Sequence, residues 1–246
     1  MNIYICELKE QEWKSPLLRA AMRSGLLDSS EAEALAQNEK KLQNQREHLT
    51  AWLLFQRVTG EMYGIQTLSE LSLAKTEQGK PYSRAYPGLH FNLSHCRAAC
   101  ACALDTIPAG IDIERRFPYK ESLMRRICTE KERQIVESCE SLPEREQLLQ
   151  ALWSMKESVV KWNGRGMGYG MERADCTRWL LRYVKNAGGI SDKSEDRNPE
   201  LWMLLRQTPE YTLAACTAAG KVAFGDWLEA VQITKIREEE LCASWL

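Results

Sequence analysis

The sequence predicts an α+β fold built from two halves that share a similar order of elements. Short apolar runs bounded by breakers predict strands, and longer stretches with apolar residues three and four apart predict helices. The small-residue run Ala98–Leu104 in the first half is echoed by Tyr211–Thr217 in the second. Because Pro108 punctuates the chain between them, we expect an N-terminal α+β half at residues 1–108 and a C-terminal half at residues 109–246.

The first half is expected to contain a strand, two helical pieces and a turn ahead of its buried run. Residues 2–8 alternate in the manner of a strand, and Ser29–Gly60 has helical spacing in two pieces, with a glycine that can end the second. Glu77–Pro81 is rich in turn-forming residues. Breakers on both sides of Ala98–Leu104 favour a strand there over a short helix.

The second half is expected to begin with a short strand at Ile111–Glu114 and to continue with two helices. Those helices are predicted at Glu121–Glu140 and Glu144–Asn163, separated at Pro143. A polar stretch at Gly188–Pro199 predicts a surface loop. The segment after the second helix predicts a flexible turn because it repeats glycine at Gly164, Gly166, Gly168 and Gly170.

Composition limits the classes of function. A formal net charge of -1 argues against a protein whose whole surface binds nucleic acid. No apolar run is long enough to span a membrane, and the N-terminus lacks the basic flank and apolar core of a signal peptide. Nine scattered cysteines, an odd number, suit reduced thiols better than a disulfide framework. We therefore expect a cytoplasmic protein without nucleic-acid or membrane partners.

Two carboxylates on one strand form a candidate cation site. Asp112 and Glu114 are two residues apart, so both side chains leave the same face of the predicted strand, while Ile111 and Ile113 face a core. Hard carboxylate oxygens of this kind suit Mg²⁺, whose coordination is commonly completed by water and phosphate. The alternative is a solvated strand edge without a ligand.

A second candidate lies on the helix that contains Trp153–Lys161. Trp153, Glu157 and Lys161 are four residues apart and form one stripe along that helix. The carboxylate and the ammonium can form an exposed pair worth only a few tenths of a kcal/mol. They can also hold a metal ion and a phosphate side by side, and the helix alone leaves both interpretations open.

A zinc site at His95, Cys96, Cys100 and Cys102 is a further alternative. We expect the three cysteines to share one face of a short strand and to point in parallel. Parallel side chains cannot easily surround a tetrahedral ion. The cysteines are therefore predicted to be buried as small apolar residues.

Four motifs in order along the chain resemble those of the 4'-phosphopantetheinyl transferases, in particular the larger, surfactin-synthetase-activating type. They are Gly79–Pro81, Phe91–His95, Gly110–Glu114 and Trp153–Ser158 with Lys161. Each motif alone is weak, whereas the four together are specific and cover most of the chain. The resemblance implies a pseudo-dimer of two similar α+β halves with the active site at their interface.

The same resemblance implies an activity and its partners. Enzymes of this family transfer 4'-phosphopantetheine from coenzyme A to a serine of an apo acyl, peptidyl or aryl carrier protein and release 3',5'-ADP. The reaction depends on Mg²⁺, with Mn²⁺ as an alternative. Larger members are expected to be monomers because the duplicated chain already supplies both halves. The natural carrier does not follow from the sequence.

Roles for individual residues follow from the resemblance. Asp112, Glu114 and Glu157 would bind Mg²⁺, and Glu157 would also be the general base for the serine hydroxyl. Lys161 would meet the charge that develops on the phosphate leaving group. A carboxylate at its ordinary pKa is a weak base, so positioning would do much of the work.

Contacts to coenzyme A are implied in the same way. Lys80 and Pro81 match the segment that contacts the adenine nucleotide, and Ser94 with His95 matches a phosphate contact. The cations for the 3'-phosphate would be Lys40, Lys41 and Arg46. Arg46 lies about one residue out of register, with Glu47 at the expected place, so His48 is an alternative cation.

The carrier protein would dock on the segment after the metal strand, Arg116–Ile127. Phe117, Leu123, Met124 and Ile127 are candidate apolar contacts there, although core packing accounts equally well for the last three.

Two other functions use the same residues. A Mg²⁺-dependent nucleotide phosphohydrolase would use the three carboxylates with water as nucleophile and would need no carrier. A non-catalytic coenzyme A binding module is the second alternative, although the three carboxylates and Lys161 are intact.

Overall fold

The computed structural model describes residues 1–9, 12–166, 170–185, 201–219 and 224–244. Gly168 of the predicted turn and the predicted loop Gly188–Pro199 lie outside these ranges. Within them, no helix combines the length and the apolar character needed to cross a lipid bilayer.

The described residues form nine strands and nine α-helices, so the protein is α+β, as predicted. The strands are β1 (Asn2–Glu7), β2 (Leu73–Lys75), β3 (Pro81–Ser83), β4 (His90–Cys96), β5 (Ala99–Asp105), β6 (Ala109–Arg115), β7 (Leu201–Gln207), β8 (Tyr211–Ala218) and β9 (Gln232–Arg237). The helices are α1 (Lys14–Arg23), α2 (Ser29–Ala36), α3 (Glu39–Tyr63), α4 (Glu121–Ile127), α5 (Glu130–Glu137), α6 (Leu142–Asn163), α7 (Thr177–Lys185), α8 (Phe224–Ala230) and α9 (Glu238–Ala243).

The strands form a four-stranded sheet, a three-stranded sheet and a two-stranded hairpin. The larger sheet has the order β4-β5-β1-β9, in which β9 runs parallel to β1. The three-stranded sheet has the order β6-β8-β7, and β2 pairs with β3. The last described strand of the chain therefore returns to the sheet that contains the first.

The four-stranded sheet is buried on both faces, and β5 shows why. Its alanines at 99, 101 and 103 pack into one core cluster with β6, β8 and α6. The alternate residues Cys100, Cys102 and Leu104 pack into a second cluster with α3. Side chains of a strand alternate between its faces, so one apolar strand contributes to both cores. The predicted strands at Ala98–Leu104 and Tyr211–Thr217 are both confirmed, each at the centre of a sheet.

Several predicted helix boundaries are wrong. The second N-terminal helix, α3, continues through Gly60 to Tyr63 and is capped by Gly64, whose N–H donates to the Gly60 carbonyl oxygen over 3.0 Å. The predicted helix at Glu121–Glu140 is two helices, because Thr129 accepts a hydrogen bond from the Glu132 N–H and starts α5 afresh. Sequence analysis did not identify α1, α7, β7 or β9.

The expected placement of the cysteines is also wrong in one respect. Cys96 ends β4 and packs in the first cluster, whereas Cys100 and Cys102 lie on β5 and face the second. The three thiols therefore do not share a face. Burial raises the pKa of Cys96 to about 11. All nine cysteines are free, which agrees with the prediction of reduced thiols.

The helix α6 begins with a capping box and then passes very close to β6. Ser141 accepts a hydrogen bond from the Glu144 N–H, and the Glu144 carboxylate accepts one from the Ser141 N–H, both over 3.3 Å. A Cβ placed on Gly110 would lie 2.0 Å from the Ser158 carbonyl oxygen and 2.6 Å from the Trp162 nitrogen. Only glycine allows β6 and α6 to approach this closely.

A buried ion pair fixes the opposite side of α6. The Lys156 ammonium lies 2.8 Å from the Glu132 carboxylate, and both side chains are fully buried. Lys156 also donates to the carbonyl oxygens of Met171 and Ala174. The charge of Lys156 is therefore satisfied inside the protein by Glu132 and two backbone carbonyl groups.

We predict that Lys156→Met lowers the free energy of unfolding by about 3–5 kcal/mol, because it leaves a buried carboxylate without its cation. Urea denaturation measures the loss. Arg125→Met is the matched control. The pair of Arg125 with Glu121 is exposed to solvent, so its loss should lower the free energy of unfolding by less than about 1 kcal/mol. Equal small losses in the two variants would contradict the structural role of the buried pair.

Candidate functional site

The site is built where β4 meets β6. These strands belong to different sheets. They are joined by hydrogen bonds from backbone N–H groups of β6 to side chains of β4. The Ile111 N–H donates to the Asn92 side-chain oxygen over 3.0 Å, and the Ile113 N–H donates to the Ser94 hydroxyl over 3.1 Å. These two bonds fix the register of β6 and hence the position of Asp112 between them.

Asp112, Ser94 and Lys161 form one hydrogen-bonded group at this junction. The Lys161 ammonium donates to Asp112 Oδ1 and to the Ser94 hydroxyl, in each case over 2.8 Å. The Asp112 side chain is only 6% exposed, whereas that of Lys161 is 27% exposed. Lys161 therefore brings a solvent-facing positive charge to a buried carboxylate.

Glu114 and Glu157 lie in the electrostatic field of Asp112. Burial raises the pKa of both carboxyl groups, and the Asp112 charge raises each further, while Lys161 opposes the rise. Glu157 also raises the pKa of Glu114. The structure therefore brings two residues of β6 and two of α6 to one site. They are Asp112 and Glu114 on the strand, and Glu157 and Lys161 on the helix.

The chemistry of these donors fits a hard divalent cation. Asp112 Oδ2 is buried and accepts no hydrogen bond from the residues that the structure describes, so one carboxylate oxygen of the site has no partner among them. Asp112 raises the pKa of both Glu114 and Glu157, and a cation among the three carboxylates would relieve this repulsion. Within the described ranges, however, no three His, Cys, Asp or Glu side chains are already gathered in the arrangement of a metal site.

Lys80 and Pro81 lie beside the end of α6, next to a cleft of about 300 Å³ that Phe91 and Trp162 also line. The Lys80 ammonium donates to the carbonyl oxygens of Lys161 and Trp162 over 2.7 and 3.0 Å. Its charged end is thus held by backbone, and a contact with the adenine nucleotide stays a prediction.

His95 lies on the rim of a separate cleft of about 610 Å³, which Glu114 also lines. Its Nδ1 atom is 3.5 Å from the Glu47 carboxylate, and its ring meets that of His48 edge to face. Glu47, which stands where the resemblance implies a cation, is therefore an acid that faces His95. The phosphate contact of His95 stays a prediction.

The three expected cations of α3 differ in their surroundings. Lys40 and Lys41 lie exposed in its first turn. Arg46 is buried, and its guanidinium forms two hydrogen bonds to Glu238, of 3.1 and 2.6 Å, and stacks on Trp13. A phosphate contact by Arg46 stays a prediction.

The predicted docking segment divides between core and surface. Met124 and Ile127 are 1% exposed and belong to the first cluster, so core packing accounts for them. Phe117 is half-buried beside Trp153 and lines the cleft that contains Glu114. Its backbone carbonyl accepts a hydrogen bond from the Gln150 side chain.

Two residues that build the site were given no role by sequence analysis. Asn92 supplies the bond that fixes Ile111, and Gly110 permits the close passage of α6. An asparagine inside an apolar strand was a usable signal, because strands disfavour this residue unless its amide is bonded.

Comparison with known proteins agrees with this arrangement. Residues 108–216, which contain all three carboxylates and Lys161, match the model of the 4'-phosphopantetheinyl transferase superfamily. The chain is 29% identical to 4'-phosphopantetheinyl transferase psf-1 of Bacillus pumilus over 77% of its own length and 78% of the relative. It is 31% identical to 4'-phosphopantetheinyl transferase gsp of Aneurinibacillus migulanus, over 75% and 73% of the two chains. The chain belongs to the 4'-phosphopantetheinyl transferase superfamily.

Proposed function

We propose that this protein transfers 4'-phosphopantetheine from coenzyme A to a serine hydroxyl of an apo carrier protein and releases 3',5'-ADP. The observation that carries the proposal is the group at the β4–β6 junction, where a buried Asp112 binds Lys161 beside two further carboxylates. With a divalent cation on its carboxylates, such a group can offset the charge of a diphosphate and accept a proton within one site. The shared family makes this transfer the leading use of that chemistry.

The active site lies between two halves, residues 1–108 and 109–246, that together form a pseudo-dimer. Two observations support this assignment. The side chains of Asn92 and Ser94 reach from β4 to the β6 backbone, so each half contributes groups to one site. Each half also supplies an apolar inner strand, β5 to the four-stranded sheet, which β9 of the second half joins, and β8 to the three-stranded sheet. A chain that carries both halves would act as a monomer.

Glu157 accepts the proton of the acceptor serine while the serine oxygen forms a bond to the phosphorus that carries pantetheine. The bond from that phosphorus to the oxygen of 3',5'-ADP then breaks, and Lys161 stabilises the negative charge that appears on the leaving group. Ser94 holds the Lys161 ammonium beside Asp112, so the cation is in place before the charge develops.

Asp112, Glu114 and Glu157 would hold Mg²⁺, and the unpartnered Asp112 Oδ2 is the oxygen most in need of a cation. When bound, the ion supplies positive charge to the diphosphate of coenzyme A. Lys161 keeps its own bond to Asp112 Oδ1, so the two oxygens of one carboxylate can serve different cations.

The activity is tested by the intact mass of an apo acyl carrier protein after incubation with this protein, coenzyme A and Mg²⁺. A gain of one phosphopantetheine on the carrier is expected. Hydrolysis of coenzyme A without a gain on any of several carriers would favour a phosphohydrolase. Binding of coenzyme A with neither outcome would leave a non-catalytic module.

Chelation by EDTA is expected to stop the transfer, and excess Mg²⁺ to restore it, because three neighbouring carboxylates cannot all stay ionised beside a diphosphate without a cation. The rate is followed by the same mass measurement, with Mn²⁺ as a second replacement ion. Transfer that is indifferent to EDTA would contradict the metal role of the carboxylates.

Asp112→Asn is expected to lower kcat by at least about 100-fold, because it removes the charge that holds Lys161 and binds the ion while preserving the shape of the side chain. Thermal unfolding checks that the variant folds. Asp226→Asn, at an exposed position on α8, is the control and should keep full activity. A folded Asp112→Asn variant with normal kcat would disprove the assignment.

Lys161→Ala is expected to lower kcat more than it raises the KM for coenzyme A, because its charge matters most when the leaving group forms. Steady-state kinetics separate the two parameters. Lys131→Ala, an exposed lysine of α5, is the control. A change confined to KM would show that Lys161 only binds the substrate.

A further inference from the structure

Lys80 holds the end of α6 against the start of β6. Its ammonium has three donors, and three backbone carbonyl oxygens lie within reach: Lys161 at 2.7 Å, Trp162 at 3.0 Å and Ala109 at 3.4 Å. The first two belong to the last turn of α6, where carbonyl groups lack partners within the helix. The third belongs to the first residue of β6.

The two elements joined in this way contain all four charged groups of the site. Asp112 and Glu114 follow Ala109 on β6, and Glu157 and Lys161 precede the end of α6. The elements also cross closely at Gly110, where a Cβ would overlap the α6 backbone. The Lys80 bonds are therefore made next to the crossing that sets the distance between the carboxylates of β6 and the helix.

Lys80 is enclosed on the side of the helix cap as well. Gly164 ends α6 with a φ of 68°, and a Cβ placed there would lie 3.2 Å from Lys80 Cδ. Lys80 is half-buried, and this burial lowers the pKa of its ammonium. A cation in this position, bonded to carbonyl groups at a helix C-terminus, also suits the negative end of the helix dipole.

We propose that Lys80 is a positioning residue of the transfer reaction, whose ammonium clamps the last turn of α6 to β6 and thereby holds Lys161 and Glu157 beside Asp112. The proposal rests on the proposed function for its effect on kcat, but the clamp itself is independent of any substrate. It gives Lys80 a role in the free protein, distinct from a contact with the adenine nucleotide.

Hydrogen–deuterium exchange of the protein without coenzyme A tests the clamp. Lys80→Met should speed exchange of the amides in the last turn of α6 by about tenfold or more, because two carbonyl groups lose a charged donor. Lys80→Arg, which keeps a donating cation, should recover much of the protection. The control Lys75→Met, at an exposed lysine of the same hairpin, should exchange like the unmodified protein.

Steady-state kinetics then separate positioning from binding. Lys80→Met should lower kcat at least about tenfold and change the KM for coenzyme A by less than about twofold, with partial recovery in Lys80→Arg.

Unchanged exchange in Lys80→Met would overturn the proposal, as would a rise in KM with kcat preserved, which would indicate a direct nucleotide contact. Absence of transfer by the unmodified protein would instead overturn the proposed function. The exchange result would still show whether the clamp exists.

Discussion

The site depends on the close passage of α6 over β6 at Gly110. Because a Cβ at this position would overlap the Ser158 carbonyl, the distance between strand and helix is set by the absence of a side chain. That distance lets Lys161, on the helix, reach Asp112 on the strand over 2.8 Å. The buried pair of Lys156 with Glu132 fixes another part of the helix, so α6 is held at more than one place along its length.

The charges at this junction are balanced so that one buried carboxylate is only partly satisfied. Lys161 and Ser94 donate hydrogen bonds to Asp112 Oδ1, and the second oxygen has no hydrogen-bond partner in the described part of the chain. A buried, unpartnered carboxylate oxygen is costly in a folded protein, and such groups are concentrated at functional sites. The neighbouring carboxyl groups, with pKa values raised by burial and by Asp112, add to the same demand for a cation.

Sequence analysis predicted the α+β class, the central strands and the carboxylate site because each depends on local spacing. Two acids alternating with isoleucines on β6 and a four-residue stripe on α6 are readable without a structure. Features that depend on long-range contacts were missed. The ion pair of Arg46 with Glu238, 192 residues away, leaves no periodic signal in the sequence. The same holds for the hydrogen bonds from Lys80 to the end of α6. The break of the Glu121–Glu140 segment was readable from Thr129 and Glu132, which form a capping box, but helical spacing on both sides obscured it.

The most direct test of the account is a crystal structure with coenzyme A and Mn²⁺, in which anomalous scattering locates the ion. We expect the ion to be bound by Asp112, Glu114 and Glu157, with a diphosphate oxygen in its coordination and the Lys161 ammonium near the leaving phosphate. Mn²⁺ bound elsewhere, or coenzyme A with its diphosphate away from Asp112 and Lys161, would contradict the site described above.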